Sequence, residues 1–171
     1  ERVAEMIVPY AECRDSTSSA VEKLAILKLN GGLGTTMGCT GPKSVIEVRE
    51  GKTFLDLIVD QVCELKQSTG HSVPLVLMNS FNTHEETGLV VQRYQGLIDI
   101  LSFEQSQHPR FSPVDHMPVM SEVSKETLET KNLWYPPGHG DVFEALVNSG
   151  TLAKLEQRGV EYVFISNVDN L

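Results

Sequence analysis

The chain has 171 residues, 40% of them hydrophobic and 22% charged, the composition of an ordinary globular domain able to bury roughly 70% of the surface its unfolded form exposes. Its formal net charge is -9 at pH 7, with Lys and Arg scattered rather than clustered. That excludes nucleic acid and anionic membrane as expected partners, so any phosphate ligand must be held by local dipoles and a few placed cations. No apolar run approaches the ~20 residues of a membrane span.

Cys13, Cys39 and Cys63 are widely spaced and form no CxxC pair, which points to a reducing compartment, the cytoplasm first, with a reducing organelle also open. The chain begins at Glu1 without an initiator Met and stops at Leu171 on the edge of a motif, so it reads as part of something longer. Residues 1–23 read as a helical or linker segment. Val3, Met6, Ile7 and Tyr10 have helical spacing around Pro9, and Ser16 to Ser19 precede a second short helix ending near Lys23.

Leu24 to Lys28 is apolar enough for a buried parallel strand, and LNGGLGTTMGCTGPKS, Leu29 to Ser44, breaks it with repeated glycines. Gly31, Gly32 and Gly34 deliver bare backbone to the strand's carboxyl end. Such residues can adopt positive φ and turn N–H groups toward an anion, while Lys43 behind Pro42 adds a full charge. The stretch is a phosphate cradle of neither common kind. GxGxxG fails because Gly38 falls one residue late after Gly34, and GxxxxGK[ST] fails because Pro42 separates Gly41 from Lys43.

Val45, Ile46 and Val48 alternate like a short strand, and Glu50, Gly51 and Lys52 form a turn. Thr53 with Asp56 is a capping box for a helix carrying Phe54, Ile58, Val62 and Leu65 that ends before Gly70. Val73 to Met78 is a second buried strand, and Thr83 with Glu86 has capping-box spacing for a helix to about Gln95. Ile98 to Glu104 is a third strand. The proline-punctuated stretch from Gln107 to Pro137 is too long for an ordinary connection and reads as an excursion with a local hairpin. Asp141 caps a helix over Val142 to Val147, Leu152 to Gln157 is another, and Tyr162 to Ser166 is the last strand. Alternating strands and helices predict an α/β fold: a doubly wound, mostly parallel, Rossmann-like sheet with its ligand outside the carboxyl ends of the strands.

The glycine stretch resembles the nucleotide loop of the eukaryotic-type UDP-glucose pyrophosphorylases, within the wider nucleotide-activated-sugar pyrophosphorylases. Later stretches carry the same resemblance in the same order: PLVLMNSFNT (Pro74 to Thr83), FEQSQHPR (Phe103 to Arg110), WYPPGHGD (Trp134 to Asp141) and FISNVDNL (Phe164 to Leu171). It implies a nucleotidyltransferase (GT-A-like) sheet, with residues 24–171 the nucleotide-binding part of a catalytic domain whose sugar-binding part and C-terminal β-helix lie elsewhere.

The implied reaction is uridylyl transfer. The phosphate of glucose 1-phosphate attacks the α-phosphorus of UTP, releasing pyrophosphate and UDP-glucose, with Mg²⁺ as cofactor. Lys43 is matched to the residue that neutralises triphosphate charge. Asp169 is matched to the carboxylate that bridges Mg²⁺ to phosphate, and Asn167 and His139 to contacts with the sugar nucleotide. Leu29, Asn30, Gly31, Gly32 and Gly138 are matched to backbone contacts with the nucleotide, and Gln105 to the amide that reads the pyrimidine. Read without the motifs, Lys43 is an ordinary surface lysine and Asp169 an ordinary turn former. Met78, Asn79 and Ser80 are further candidates to line the base pocket. A UDP-sugar or UDP-N-acetylhexosamine pyrophosphorylase, a metal-dependent glycosyltransferase and a non-catalytic nucleotide-binding module stay open as alternatives.

Overall fold

A computed structural model describes residues 19–35, 38, 40–119 and 133–171. The helix expected around Pro9, Cys13 and Cys39, and part of the Gln107 to Pro137 excursion lie outside the described residues. Four parallel strands form the central sheet: β1 (Leu24–Asn30), β4 (Leu75–Asn79), β5 (Ile100–Glu104) and β8 (Tyr162–Asn167). They lie in the order β5-β4-β1-β8. The predicted strands are present within a residue or two at either end.

Two small antiparallel pairs flank the sheet, β2 (Glu47–Arg49) with β3 (Lys52–Thr53), and β6 (His108–Pro109) with β7 (Trp134–Tyr135). The second pair joins the two ends of the excursion, and the local hairpin anticipated within it is the antiparallel bridge between Phe111 and Pro118. The strand expected at Val45 and Ile46 is displaced. Lys43–Val45 is a 3-10 turn with Ser44 fully buried, and the extended segment begins only at Glu47.

Helix α1 (Phe54–Thr69) starts as its sequence dictates. Thr53 Oγ1 accepts from the Asp56 amide, the Asp56 carboxylate accepts from the Thr53 amide, and Gly70 closes the helix in the left-handed conformation. Tyr94 Oη also donates to Asp56, at 2.7 Å. Burial works against this carboxylate, but the hydrogen bonds from Thr53 and Tyr94 outweigh it and hold its pKa below the ordinary value.

Helix α2 (His84–Val91) begins differently from expectation. Thr83 is fully buried. Its hydroxyl donates to the Asn30 carbonyl and accepts from the Ser80 amide, each at 2.9 Å, so it does not cap the helix. Glu86 instead lies against Gly41. Helices α3 (Val142–Asn148) and α4 (Thr151–Gln157) follow the hairpin.

Alternate residues of β4 face opposite cores. Leu75 and Leu77 pack with Leu55, Ile58 and Val59 of α1 and with Tyr94. Val76 and Met78 pack with Val142, Ala145 and Leu146 of α3 and Leu155 of α4. Each fully buried aliphatic side chain contributes about 1.5–3 kcal/mol, so both helical layers are anchored through one strand. The chain runs β1, β4, β5 in one direction with α1 and α2 on one face, then returns with α3 and α4 on the other to place β8 beyond β1. Right-handed crossovers require that change of face. The direction of winding therefore reverses between β1 and β8, and ligands of such sheets bind at the carboxyl end of that reversal.

Candidate active site at the β1–β8 switch point

A small cleft of about 90 Å³ lies at that end, lined by Leu29, Gly32, Lys43, His139, Asn167, Val168 and Asp169. Residues from three separate sequence motifs meet there. The glycine loop is closed at its neck: the Lys43 amide donates to the Gly32 carbonyl at 3.1 Å and the Gly34 amide to the Gly41 carbonyl at 3.0 Å. This folds Lys43 back beside β1. Its Nζ lies 3.3 Å from Asp169 Oδ2, with the two side chains 31% and 34% exposed. An ion pair this exposed adds at most about 1 kcal/mol to stability, so its significance is placement.

The turn Asn167 to Asn170 presents Asp169. Val168 is buried in the α1 layer, its amide donates to the Leu29 carbonyl at 3.4 Å, and the Asn170 amide donates to the Asn167 carbonyl at 3.2 Å. With Val168 inside, Asp169 projects into the cleft.

A second group sits beside the first. Gln105 is buried, its amide nitrogen packs directly on Gly31, and its Oε1 accepts from the Gly138 amide at 3.2 Å. A Cβ on Gly31 would come within 1.9 Å of Gln105 Nε2. Glycine is needed here for close approach, and neither Gly31 nor Gly32 has the positive φ expected for the loop; Gly38 does, at φ 74°. Gly138 also has a positive φ, 102°, as it turns the Pro136–Pro137 segment toward Gln105.

Asn30 is fully buried, its Nδ2 donating to Asn79 Oδ1 at 2.7 Å and to Thr87 Oγ1 at 3.0 Å. Its side chain braces the sheet. Met78, Asn79 and Ser80 are also fully buried, behind the site and not along an open pocket. Ser80 Oγ donates to the Gly31 carbonyl at 2.8 Å, and the Gln105 amide donates to the Asn79 carbonyl at 2.8 Å. They fix the backbone that the ligand would meet.

Asp141 has a role its spacing does not reveal. It makes no side-chain cap to α3. Its carboxylate accepts from the Ser106 amide at 2.6 Å and the Ser106 hydroxyl at 3.1 Å, tying the loop after β5 to the Gly138–His139 segment. The signal available in sequence was an acidic residue within PPGHGD; its partner lies 35 residues away.

A doubly wound parallel sheet with a glycine loop, lysine and aspartate gathered at its switch point has the features of a nucleotide-binding α/β protein. A family model described as UTP--glucose-1-phosphate uridylyltransferase matches residues 2–171, and the chain belongs to that family. It is 55% identical over 174 residues to the UTP--glucose-1-phosphate uridylyltransferase of Musa acuminata, an alignment covering 98% of this chain and 36% of the relative. It is 56% identical to UTP--glucose-1-phosphate uridylyltransferase 2 of Dictyostelium discoideum, covering 98% and 34%.

Among solved structures, UDP-glucose phosphorylase of Trypanosoma brucei aligns with a TM-score of 0.75 at 39% identity, covering 89% of this chain and 33% of that one. A point mutant of Leishmania major UDP-glucose pyrophosphorylase in complex with UDP-glucose aligns with a TM-score of 0.76 at 38% identity, covering 90% and 32%. The chain thus spans about a third of the length of the relatives it matches.

Proposed function

We propose that this chain supplies the nucleotide-binding half of a uridylyltransferase active site that forms UDP-glucose and pyrophosphate from UTP and glucose 1-phosphate. The observation that carries the reading is the 3.3 Å approach of Lys43 to Asp169 across the switch-point cleft, made by motifs 126 residues apart. The phosphate of the sugar is its own nucleophile, so the protein need only hold attacker and leaving group in line and neutralise developing charge. Lys43 faces the site of that charge. Gly32 keeps a side chain out of the nucleotide's path, Gly31 makes room for Gln105, Gln105 presents an amide to the uracil edge, and His139 and Asn167 flank the sugar phosphate.

Magnesium fits the donor set. Among the described residues no three His, Cys, Asp or Glu side chains converge to hold a metal by themselves. Asp169 offers one partly exposed carboxylate, and Mg²⁺ commonly takes one or two carboxylates with water and substrate phosphates for the rest. Bound there, it would add charge neutralisation to that of Lys43. Cys63 is a free thiol, which suits a reducing compartment such as the cytoplasm.

The test is pyrophosphate release from UTP by the intact protein, with glucose 1-phosphate compared against N-acetylhexosamine 1-phosphates and other sugar 1-phosphates. Release with glucose 1-phosphate well above the others supports the reading. UTP binding by calorimetry without release with any sugar phosphate would instead indicate a binding module. Asp141→Ala should weaken UTP binding about tenfold, since a hydrogen bond to a charged group is worth about 1.5–3 kcal/mol and here joins two loops of the nucleotide site. Calorimetric titration reads this directly, and an unchanged affinity would remove Asp141 from the site's support.

A further inference from the structure

Lys28 is the fifth residue of an otherwise nearly apolar strand, yet it is only 4% exposed. It lies in the middle of the sheet, in register with Leu77 of β4 and Ser166 of β8. Its Nζ donates to the carbonyl of Asn170 at 2.7 Å. A cavity of about 330 Å³ adjoins it, walled by Ile26, by Ile58, Gln61, Val62 and Leu65 of α1, by Phe164 and Ser166 of β8, and by Asn170 and Leu171. None of these wall residues has an ionisable side chain. Burial accordingly pushes the lysine's pKa down.

Burying an ammonium against a neutral carbonyl is costly, and a methionine would fill the space without that cost. What the ammonium does is grip one leg of the turn Asn167 to Asn170. The turn is also held by the Val168 amide to the Leu29 carbonyl, by the buried Val168 side chain and by its own Asn170 amide to Asn167 carbonyl bond. The residue left projecting between them is Asp169, aimed at Lys43. Lys28 and Leu29 are consecutive in β1, so one strand end holds the turn from below and from its side.

We propose that Lys28 is a positioning residue for the phosphate site, its ammonium clamping the turn after β8 so that Asp169 faces Lys43. The proposal rests on the uridylyltransferase reading for its kinetic consequence, and on hydrogen bonding alone for its structural one.

The experiment compares Lys28→Met, Lys28→Arg and Lys28→Ala in the intact protein. Lys28→Met should lower kcat roughly 10- to 100-fold, the range for residues that orient a metal-binding carboxylate, while KM for glucose 1-phosphate stays within about twofold. Lys28→Arg, which retains charge and donor, should recover most of the rate. Lys28→Ala should be restored in part by ethylammonium or propylammonium, which the adjoining cavity can admit, and not by the corresponding alcohols. Hydrogen exchange supplies a readout independent of turnover: Lys28→Met should speed exchange of the Val168 to Asn170 amides, with β1 and β4 unchanged.

Wild-type kcat in Lys28→Met would overturn the proposal. So would a loss of rate that neither arginine nor alkylammonium repairs and that follows a general loss of thermal stability. An inactive wild-type protein would count against the uridylyltransferase reading instead, and the exchange result would still decide whether Lys28 clamps the turn.

Discussion

Lys43→Ala in the intact protein is expected to lower the rate of UDP-glucose formation at least ~10²-fold with little change in thermal stability. The two halves of that expectation have different sources. The ammonium is one-third exposed and its ion pair with Asp169, at 3.3 Å, is as open to solvent, so its deletion costs at most about 1 kcal/mol of folding free energy. During transfer, the same ammonium would face charge spreading over phosphoryl oxygens, where one preorganised donor is worth about 2.7–4 kcal/mol. Lys43→Arg should recover only part of the rate, because a planar fork cannot reproduce a compact point charge in a cleft of about 90 Å³. Steady-state kinetics beside a melting curve separates the two effects, and near-normal turnover would remove Lys43 from the mechanism.

Gly31→Ala should reduce UTP affinity by about tenfold or more, equivalent to at least ~1.4 kcal/mol. The added methyl would lie 1.9 Å from Gln105 Nε2, a distance no settled packing permits, and a tight 3.2 Å from its Cδ. Gln105 cannot yield freely, being 7% exposed and bonded through Oε1 to the Gly138 amide. Its amide must leave, and it takes with it both the hold on Gly138 and the group proposed to read the base. The double variant Gly31→Ala/Gln105→Ala should therefore bind UTP no worse than Gln105→Ala alone, the non-additivity of two residues acting through one contact. Calorimetry showing simple addition of the two losses would mean that Gly31 acts independently of Gln105.

The sequence and the structure agree where the determinants are local. Thr53 and Asp56 form the expected capping box because both partners lie within one turn of α1, and Gly70 ends that helix for a reason contained in glycine itself. The apolar runs around Leu27 and Leu77 become buried parallel strands because both faces of the sheet are covered.

Disagreement begins where a distant segment claims the same polar group. Thr83 and Glu86 have the same spacing as Thr53 and Asp56, yet the Thr83 hydroxyl is taken by Asn30, which β1 brings from 53 residues away. Asp141 is drawn from its helix to Ser106 in the same manner. The glycine at position 31 was legible, but its reason was not, since the need is room for Gln105 and not a positive φ. Lys28 gave no signal at all: one lysine in a strand reads as an outward side chain, and its burial comes from distant segments, α1 and the turn after β8, that the tertiary fold brings to it.

The central claim is that the glycine loop and the turn after β8 grip a nucleotide triphosphate together. A crystal structure of the intact protein with UTP tests it most directly. The account places the triphosphate between Gly32, Lys43 and Asp169, with the uracil against Gln105 and Gly138. A nucleotide seated elsewhere, for instance in the cavity beside Lys28 with Lys43 and Asp169 still paired and untouched, would contradict it.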